Sequence, residues 1–197
     1  MGGWSAEREV SLRSGKACAD ALTRLGYRVT VIDAGRDVAA ALTKAKPDAA
    51  LNVLHGRPGE DGTLQGVLEI LDIPYTHSGV LASAVAMHKG YAKAIFRAAN
   101  IPVAEDIVIS RLEAAKRHLM APPYVIKPMA EGSSVGVVIV GAGANRPAEL
   151  IAKGGELDDI VMVERFIPGR ELTCAVIGDF VTDVIEIVPL KGVACYD

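Results

Sequence analysis

The residues best suited to chemistry begin at Tyr124. The stretch YVIKPMAEGSSVG (124–136) reads as a strand, Tyr124–Val125–Ile126, that ends in Lys127 and gives way at Pro128 to a Gly/Ser-rich loop. A lysine at a strand end supplies a point charge, and small residues let backbone N–H groups converge on anionic oxygens. This is a phosphate-binding layout. It differs from the GxxxxGK[ST] loop, which feeds a helix: here the lysine precedes the loop, and the chain returns to a strand over Val135–Val140, making a flap on a hairpin. An ordinary glycine hairpin with a surface lysine is the competing reading. Lys89 is a second candidate for the phosphates of a nucleotide, against a solvated position on a helix.

Three further groups stand out. Glu7 and Arg8 follow the turn Gly2–Gly3; a carboxylate there could take a substrate ammonium, or be part of a solvated turn of charges. His55 to Thr63 (HGRPGEDGT) is a dense polar glycine loop at the end of the apolar run Ala49–Leu54. In open α/β sheets ligands sit outside the carboxyl ends of strands, and an imidazole, three glycines and two carboxylates there are hard to explain as packing. No second His or Cys is spaced to join His55 in a metal site. Glu164 and Glu171 flank a turn containing Arg165, Ile167, Pro168 and Gly169. A strand entering such a turn offers backbone groups to a planar base, and a carboxylate a few residues on can accept from ribose hydroxyls.

The elements that must position these residues change character along the chain. Ser11 opens a helical pattern with Leu12, Ala17, Ala21, Leu22 and Leu25 on one face and Gly26 as its stop. Arg28–Asp33 reads as a strand, Val38–Lys44 as a short helix and Ala49–Leu54 as a buried parallel strand. Thr63 caps a helix through Leu71, and Ile73–Tyr75 is a short strand. To about Gly79 this is a doubly wound β-α-β-α-β unit. Helices follow over Val80–Met87 and Lys89–Ala99, then a strand, Asp106–Ile109, and a capping box, Ser110 to Glu113, that opens a helix to Met120. After the flap come a helix to Lys153, a strand over Ile160–Phe166, and a hairpin of Leu172–Ile177 with Phe180–Val188 around Gly178–Asp179. The fold class is therefore α/β, doubly wound at first and α+β from about Val80.

Composition bounds the rest. The chain has 197 residues, half of them apolar and only 5% aromatic, which suits an α/β core of Val, Ile, Leu and Ala. A net charge of −3 argues against binding nucleic acid by bulk charge. Cys18, Cys174 and Cys195 are scattered and odd in number, so the natural reading is a reducing compartment. With no apolar run long enough to span a membrane and no signal peptide, a cytoplasmic location is expected.

Together, GGWSAEREVSLRSG, LNVLHGRPGEDGTLQGVLEILDIPYTHSG, MHKGYAK, VIKPMAEGSSVGV, VERFIPGRELTCAV and the terminal YD resemble the D-alanine–D-alanine ligases of the ATP-grasp superfamily, in the family's order along the whole chain. The resemblance implies a pre-ATP-grasp, Rossmann-like domain at 1–79, a first ATP-grasp subdomain with the flap at 80–163, and the start of a second subdomain at 164–197, with ATP between the two subdomains. It implies that Glu7 holds the ammonium of the first D-alanine, that Ser133 hydrogen-bonds with Glu7, and that His55 faces the same pocket. Lys89 and Lys127 would take ATP phosphates, with the N–H groups of Ser133, Ser134, Val135 and Gly136 closing over them. Glu164, Arg165 and Ile167 would meet adenine, and Glu171 the ribose. The implied activity joins two D-alanine molecules through an acyl phosphate for peptidoglycan precursor synthesis, with ATP and Mg²⁺ (or Mn²⁺), in a homodimer.

Three departures from the family pattern matter. The strand expected before the Gly-Gly turn is missing or lies upstream, because Met1 stands at its end. The family's chain continues beyond Asp197, and there the resemblance places the metal ligands, an arginine for the tetrahedral intermediate and a tyrosine for the Glu7–Ser133 network. These residues alone are therefore expected to be inactive. His88 stands where many relatives have an acid. Two other readings remain open: a ligase with D-lactate or D-serine as acceptor, and a non-catalytic binding module on the same fold.

Overall fold

The computed structural model describes residues 1–132, 134–146, 148 and 158–188. By its contacts the chain forms two compact units, Met1–Val103 with Met129–Val135, and Ala104–Pro128 with Gly136–Asp197.

In the first unit, helices α1 (Arg8–Arg24), α2 (Val38–Ala45), α3 (Thr63–Ile70), α4 (Val80–Met87) and α5 (Lys89–Ala98) alternate with extended connections. The strands expected at 28–33 and 49–54 carry no ladder. A ladder needs a backbone neighbour about 4.8 Å away along its length, and here pairing is confined to isolated rungs. The Met1 carbonyl accepts from Ala34 N (2.9 Å), and Ala50 bridges Tyr75 in parallel. The layer is held instead by apolar packing of Ala34, Leu42, Leu54, Leu64, Leu68 and Ile73, each large side chain contributing about 1.5–3 kcal/mol on burial.

Two helix starts differ from expectation. Helix α1 begins at Arg8 rather than Ser11, because the Glu7 carbonyl already accepts from Ser11 N at 3.0 Å. Its buried positions are Ser11 and Gly15, one turn apart, whereas Leu25 is exposed; the face turned inward places the Ser11 hydroxyl against backbone and Gly15 against the Met1 side chain. Helix α3 starts at Thr63, but its cap residue is Gly62, whose φ of +87° favours glycine. Asp61 Oδ1 accepts from Thr63 N (3.1 Å), doing the work expected of Thr63.

The second unit is built on an antiparallel sheet in the order β1-β4-β2-β3, with β1 at Asp106–Ser110, β2 at Tyr124–Pro128, β3 at Val138–Val140 and β4 at Ile160–Arg165. Ser110 caps the short helix α6 (Arg111–Lys116) by accepting from Glu113 N. That helix ends earlier than expected. Its buried Ala114 and Ala115 pack with Tyr124, Ile126, Val140, Val161 and Val163 on one sheet face. Strand β3 starts at Val138, not Val135, because Ser134–Gly136 form a turn with positive φ at both ends. The final hairpin is present as two short ladders, β5 (Glu171–Thr173) with β8 (Ile185–Ile187) and β6 (Val176–Ile177) with β7 (Phe180–Val181). The helix expected to end at Lys153 lies outside the described residues.

Candidate active site

In the first unit the site grows from the N-terminal cap of α1. Glu7 is buried, 6% exposed. Its neighbour Arg8 makes a two-pronged pair with Asp33, Nη1 to Oδ1 at 2.7 Å and Nη2 to Oδ2 at 2.6 Å, and Nη1 also donates to the Gly3 carbonyl at 2.9 Å. Hydrogen bonding from Arg8 holds the Asp33 carboxyl below its ordinary value. Arg8 is thus a strut, and Glu7 points elsewhere. A methyl group at Gly56 would stand 2.8 Å from Glu7 Oε2, and one at Gly132 would stand 3.3 Å from it. The carboxylate therefore lies in a cradle walled by two glycines, one from the polar loop and one from the stem of the flap.

The polar loop is tied at both ends. Asn52 and Gln65 each donate a side-chain N–H to the Gly59 carbonyl, at 2.7 and 2.8 Å, and Asn52 Oδ1 accepts from Leu54 N. Glu60 accepts from Gly56 N (2.7 Å), and Asp61 accepts from Arg57 Nε (2.6 Å). These two acids therefore shape the loop. Burial pushes the Asp61 carboxyl up, but the Thr63 hydroxyl and N–H and the Arg57 guanidinium outweigh it and hold it below its ordinary value. His55 is half-buried, and its carbonyl accepts from Ser5 Oγ at 2.7 Å.

The flap stem joins the same unit. Lys89 N donates to the Met129 carbonyl (2.9 Å), and its ammonium donates to the Glu131 carbonyl (2.6 Å). Lys89 opens α5, which His88 caps by accepting from Tyr91 N through Nδ1; an imidazole thus does there what an acid can do. Glu7 and Lys89 consequently meet the flap at successive residues, Gly132 and Glu131. Beyond them Val135 N donates to the Gly132 carbonyl (3.0 Å), and Ser134 and Gly136 have φ of +59° and +69°. Ser133 lies outside the described residues.

In the second unit Lys127 and Glu164 form an ion pair. On β2, Tyr124, Ile126 and Pro128 face the core, and Val125 and Lys127 face the other way. The register sets Val125 against Glu164 and Lys127 against Met162. The non-core face thus carries an ion pair beside Val125 and the fully buried Met162. Apolar side chains flanked by a cation and a carboxylate suit a planar base with its phosphates. Arg165 donates its N–H to the Glu105 carbonyl (2.9 Å) and its guanidinium to the Glu105 carboxylate. Ile167 is exposed, and Glu171 is on the exposed β5.

Several contributing residues are not evident from motif reading: Ser5, Ser11, Asp33, Asn52, Gln65 and Met162. Asn52 carries a signal, as the one polar residue inside the apolar run Ala49–Leu54. Met162 carries another, since IVMVE is apolar at consecutive positions, as in strands covered on both faces. Ser5 and Asp33 carry none without the fold.

Known proteins match nearly the whole chain. Residues 95–197 match the family model described as D-ala D-ala ligase C-terminus, and residues 33–78 the one described as D-ala D-ala ligase N-terminus. Among curated relatives, the D-alanine–D-alanine ligase of Parvibaculum lavamentivorans is 66% identical over 95% of this chain and 61% of its own length. That of Methylocella silvestris is 63% identical over 98% of this chain and 63% of its own length. The chain therefore spans about three fifths of the curated relatives it matches. Among solved structures, the D-alanine–D-alanine ligase of Bacillus anthracis superposes with a TM-score of 0.78 at 32% identity, covering 94% of this chain and 62% of that one. The same enzyme complexed with ATP gives 0.80 at 30% identity, covering 97% and 65%. The mixed α/β architecture is thus shared with solved D-alanine–D-alanine ligases, and the chain belongs to the D-alanine–D-alanine ligase family.

Proposed function

We propose that this chain carries the nucleotide-binding residues and the first-substrate site of an ATP-dependent D-alanine–D-alanine ligase. The observation that carries the reading is the buried Glu7 carboxylate against Gly132, with Lys89 holding Glu131 beside it. One flap stem thereby touches both the group for a substrate ammonium and a group for phosphates. Pre-ATP-grasp residues 1–79, first-subdomain residues 80–163 and second-subdomain residues from 164 are the corresponding divisions.

The chemistry follows from the substrate. A D-alanine carboxylate is a poor electrophile; its oxygen attacks the ATP γ-phosphorus, ADP departs, and an acyl phosphate results. The amine of a second D-alanine attacks that carbonyl, and phosphate leaves as the amide forms. Glu7 would orient the first ammonium, with Ser133 and His55 completing the pocket. Lys127 and Lys89 would balance phosphate charge, and the flap amides of Ser134, Val135 and Gly136 would close over the phosphates. Glu164, Arg165, Ile167 and Glu171 would receive the nucleoside. Positioning and charge stabilisation supply most of the catalysis in such a reaction, and flap closure keeps water from the acyl phosphate.

Among the described residues no three His, Cys, Asp or Glu gather into a metal site. Mg²⁺ (or Mn²⁺) is the metal that the family resemblance implies for the proposed reaction. Among the described residues, too, no helix is long and apolar enough to cross a membrane. A cytoplasmic homodimer serving peptidoglycan synthesis is the setting that the family resemblance supports.

Phosphate release with ATP, Mg²⁺ and D-alanine tests the reading. The 197-residue chain alone is expected to bind ATP and D-alanine without sustained turnover. Turnover at the rate of an intact ligase would sink the proposed division of labour, and failure to bind either ligand would sink the site assignment.

A further inference from the structure

We infer that Ser5 is a positioning residue for the first-substrate site, acting through Glu7 and His55; this rests on the functional reading above. Two buried or half-buried hydroxyls fasten the N-terminal turn to the 50–55 segment, where no ladder does so. Ser11 Oγ donates to the Val53 carbonyl (2.6 Å) and accepts from Gly2 N (2.9 Å). Ser5 Oγ donates to the His55 carbonyl (2.7 Å) and accepts from Glu7 N (3.2 Å). Each serine spends its donor on one segment and an acceptor lone pair on the other. The two rungs differ in what they hold. Ser11 secures the turn at Gly2, away from the cradle. Ser5 spans the two residues assigned to the D-alanine pocket, fixing the backbone of Glu7 relative to that of His55.

The tie is also close-packed. A methyl group at Gly56 would lie 3.1 Å from Ser5 Cβ and 2.8 Å from Glu7 Oε2. The Ser5 side chain and the Glu7 carboxylate therefore share one wall, and a shift of the first is passed to the second. A part-buried backbone amide and a part-buried carbonyl would each lose this partner on removal of the hydroxyl, which is the costly way to break a hydrogen bond.

The test compares Ser5→Ala, Ser5→Thr and Ser11→Ala in the 197-residue chain, titrated with D-alanine and with ATP by calorimetry. Ser5→Ala is expected to weaken D-alanine binding about five- to tenfold, one hydrogen bond's worth, with ATP affinity within about twofold of the wild type. Ser5→Thr keeps the hydroxyl and should restore most of the loss. Ser11→Ala should lower the thermal midpoint and change both affinities together, if at all. Unchanged D-alanine affinity in Ser5→Ala overturns the inference. So does a parallel loss of both ligands that Ser5→Thr fails to rescue. Amide exchange separates the inference from the functional reading: Glu7 N–H should exchange faster in Ser5→Ala than in the wild type. A wild-type chain that binds no D-alanine overturns the functional reading, and the positioning claim with it, even where that exchange difference is present. An unchanged exchange rate overturns the tie itself.

Discussion

The Glu7 carboxylate lies against Gly132, close enough that a methyl group there would be 3.3 Å from Oε2 and 3.7 Å from Oε1. A residue at the start of the first helix thereby forms a wall for the stem of a loop far along the chain. On this account, alanine at position 132 pushes the carboxylate aside by a few tenths of an ångström. Gly132→Ala is expected to weaken D-alanine binding several-fold with little change in the thermal midpoint. Calorimetry on the variant checks it.

Gly56 carries a heavier constraint. Its φ is +63°, and a methyl group would meet Glu7 Oε2 at 2.8 Å. Gly56→Ala should cost about 1–2 kcal/mol from the left-handed backbone alone, and D-alanine binding should fall with it. Urea denaturation together with a ligand titration would show both effects in one variant.

Gly59 makes a contrasting case. A methyl group there would lie 2.1 Å from Leu54 Cβ and 3.0 Å from the Leu54 backbone. The backbone cannot swing away, and Gly59 O is the point that Asn52 and Gln65 both grip. Gly59→Ala should destabilise the first unit by about 2–3 kcal/mol or more, read as a lower urea midpoint.

Lys127 faces Glu164 on the sheet's non-core side. Removing the cation with Lys127→Ala should lower ATP affinity about tenfold or more and leave D-alanine affinity near that of the wild type. Equal ATP affinities would remove Lys127 from the nucleotide site.

Asp61 gives a pH prediction with a definite sign. Its folded-state pKa lies below the ordinary 3.8. Its contribution to stability is therefore fully present above that ordinary value and is lost as pH falls through the depressed one. Asp61→Asn should lower stability near neutrality, where that contribution is fully present, and flatten part of the decline below about pH 4. Asp33, depressed by Arg8, supplies a further part of the same decline, so the double variant should flatten it more.

Much of this was legible in the sequence, for physical reasons. Glycine-rich loops at strand ends, the capping box at Ser110 and the turn at Gly178–Asp179 are local signals, set within a few residues. The helices Val80–Met87 and Lys89–Ala98 were also readable, the second to within one residue of its end. The strands at 28–33 and 49–54 were not realised as ladders, because strand formation depends on a neighbour and not on the segment itself. Helix α1 turned a Ser11–Gly15 face inward, since backbone approach and a buried hydroxyl prevailed there over apolar count. Pairing of Lys127 with Glu164 and the Ser5 tie depend on register between distant segments, which spacing along a chain cannot give.

The central claim is that Glu7 receives the ammonium of the first D-alanine. Calorimetric titration of D-alanine into the wild-type chain and Glu7→Gln tests it most directly, because the substitution keeps shape and removes charge. The account predicts measurable binding to the wild type, weakened about tenfold or more in Glu7→Gln, with ATP affinity and thermal midpoint retained. Equal D-alanine affinity in the two proteins would contradict it.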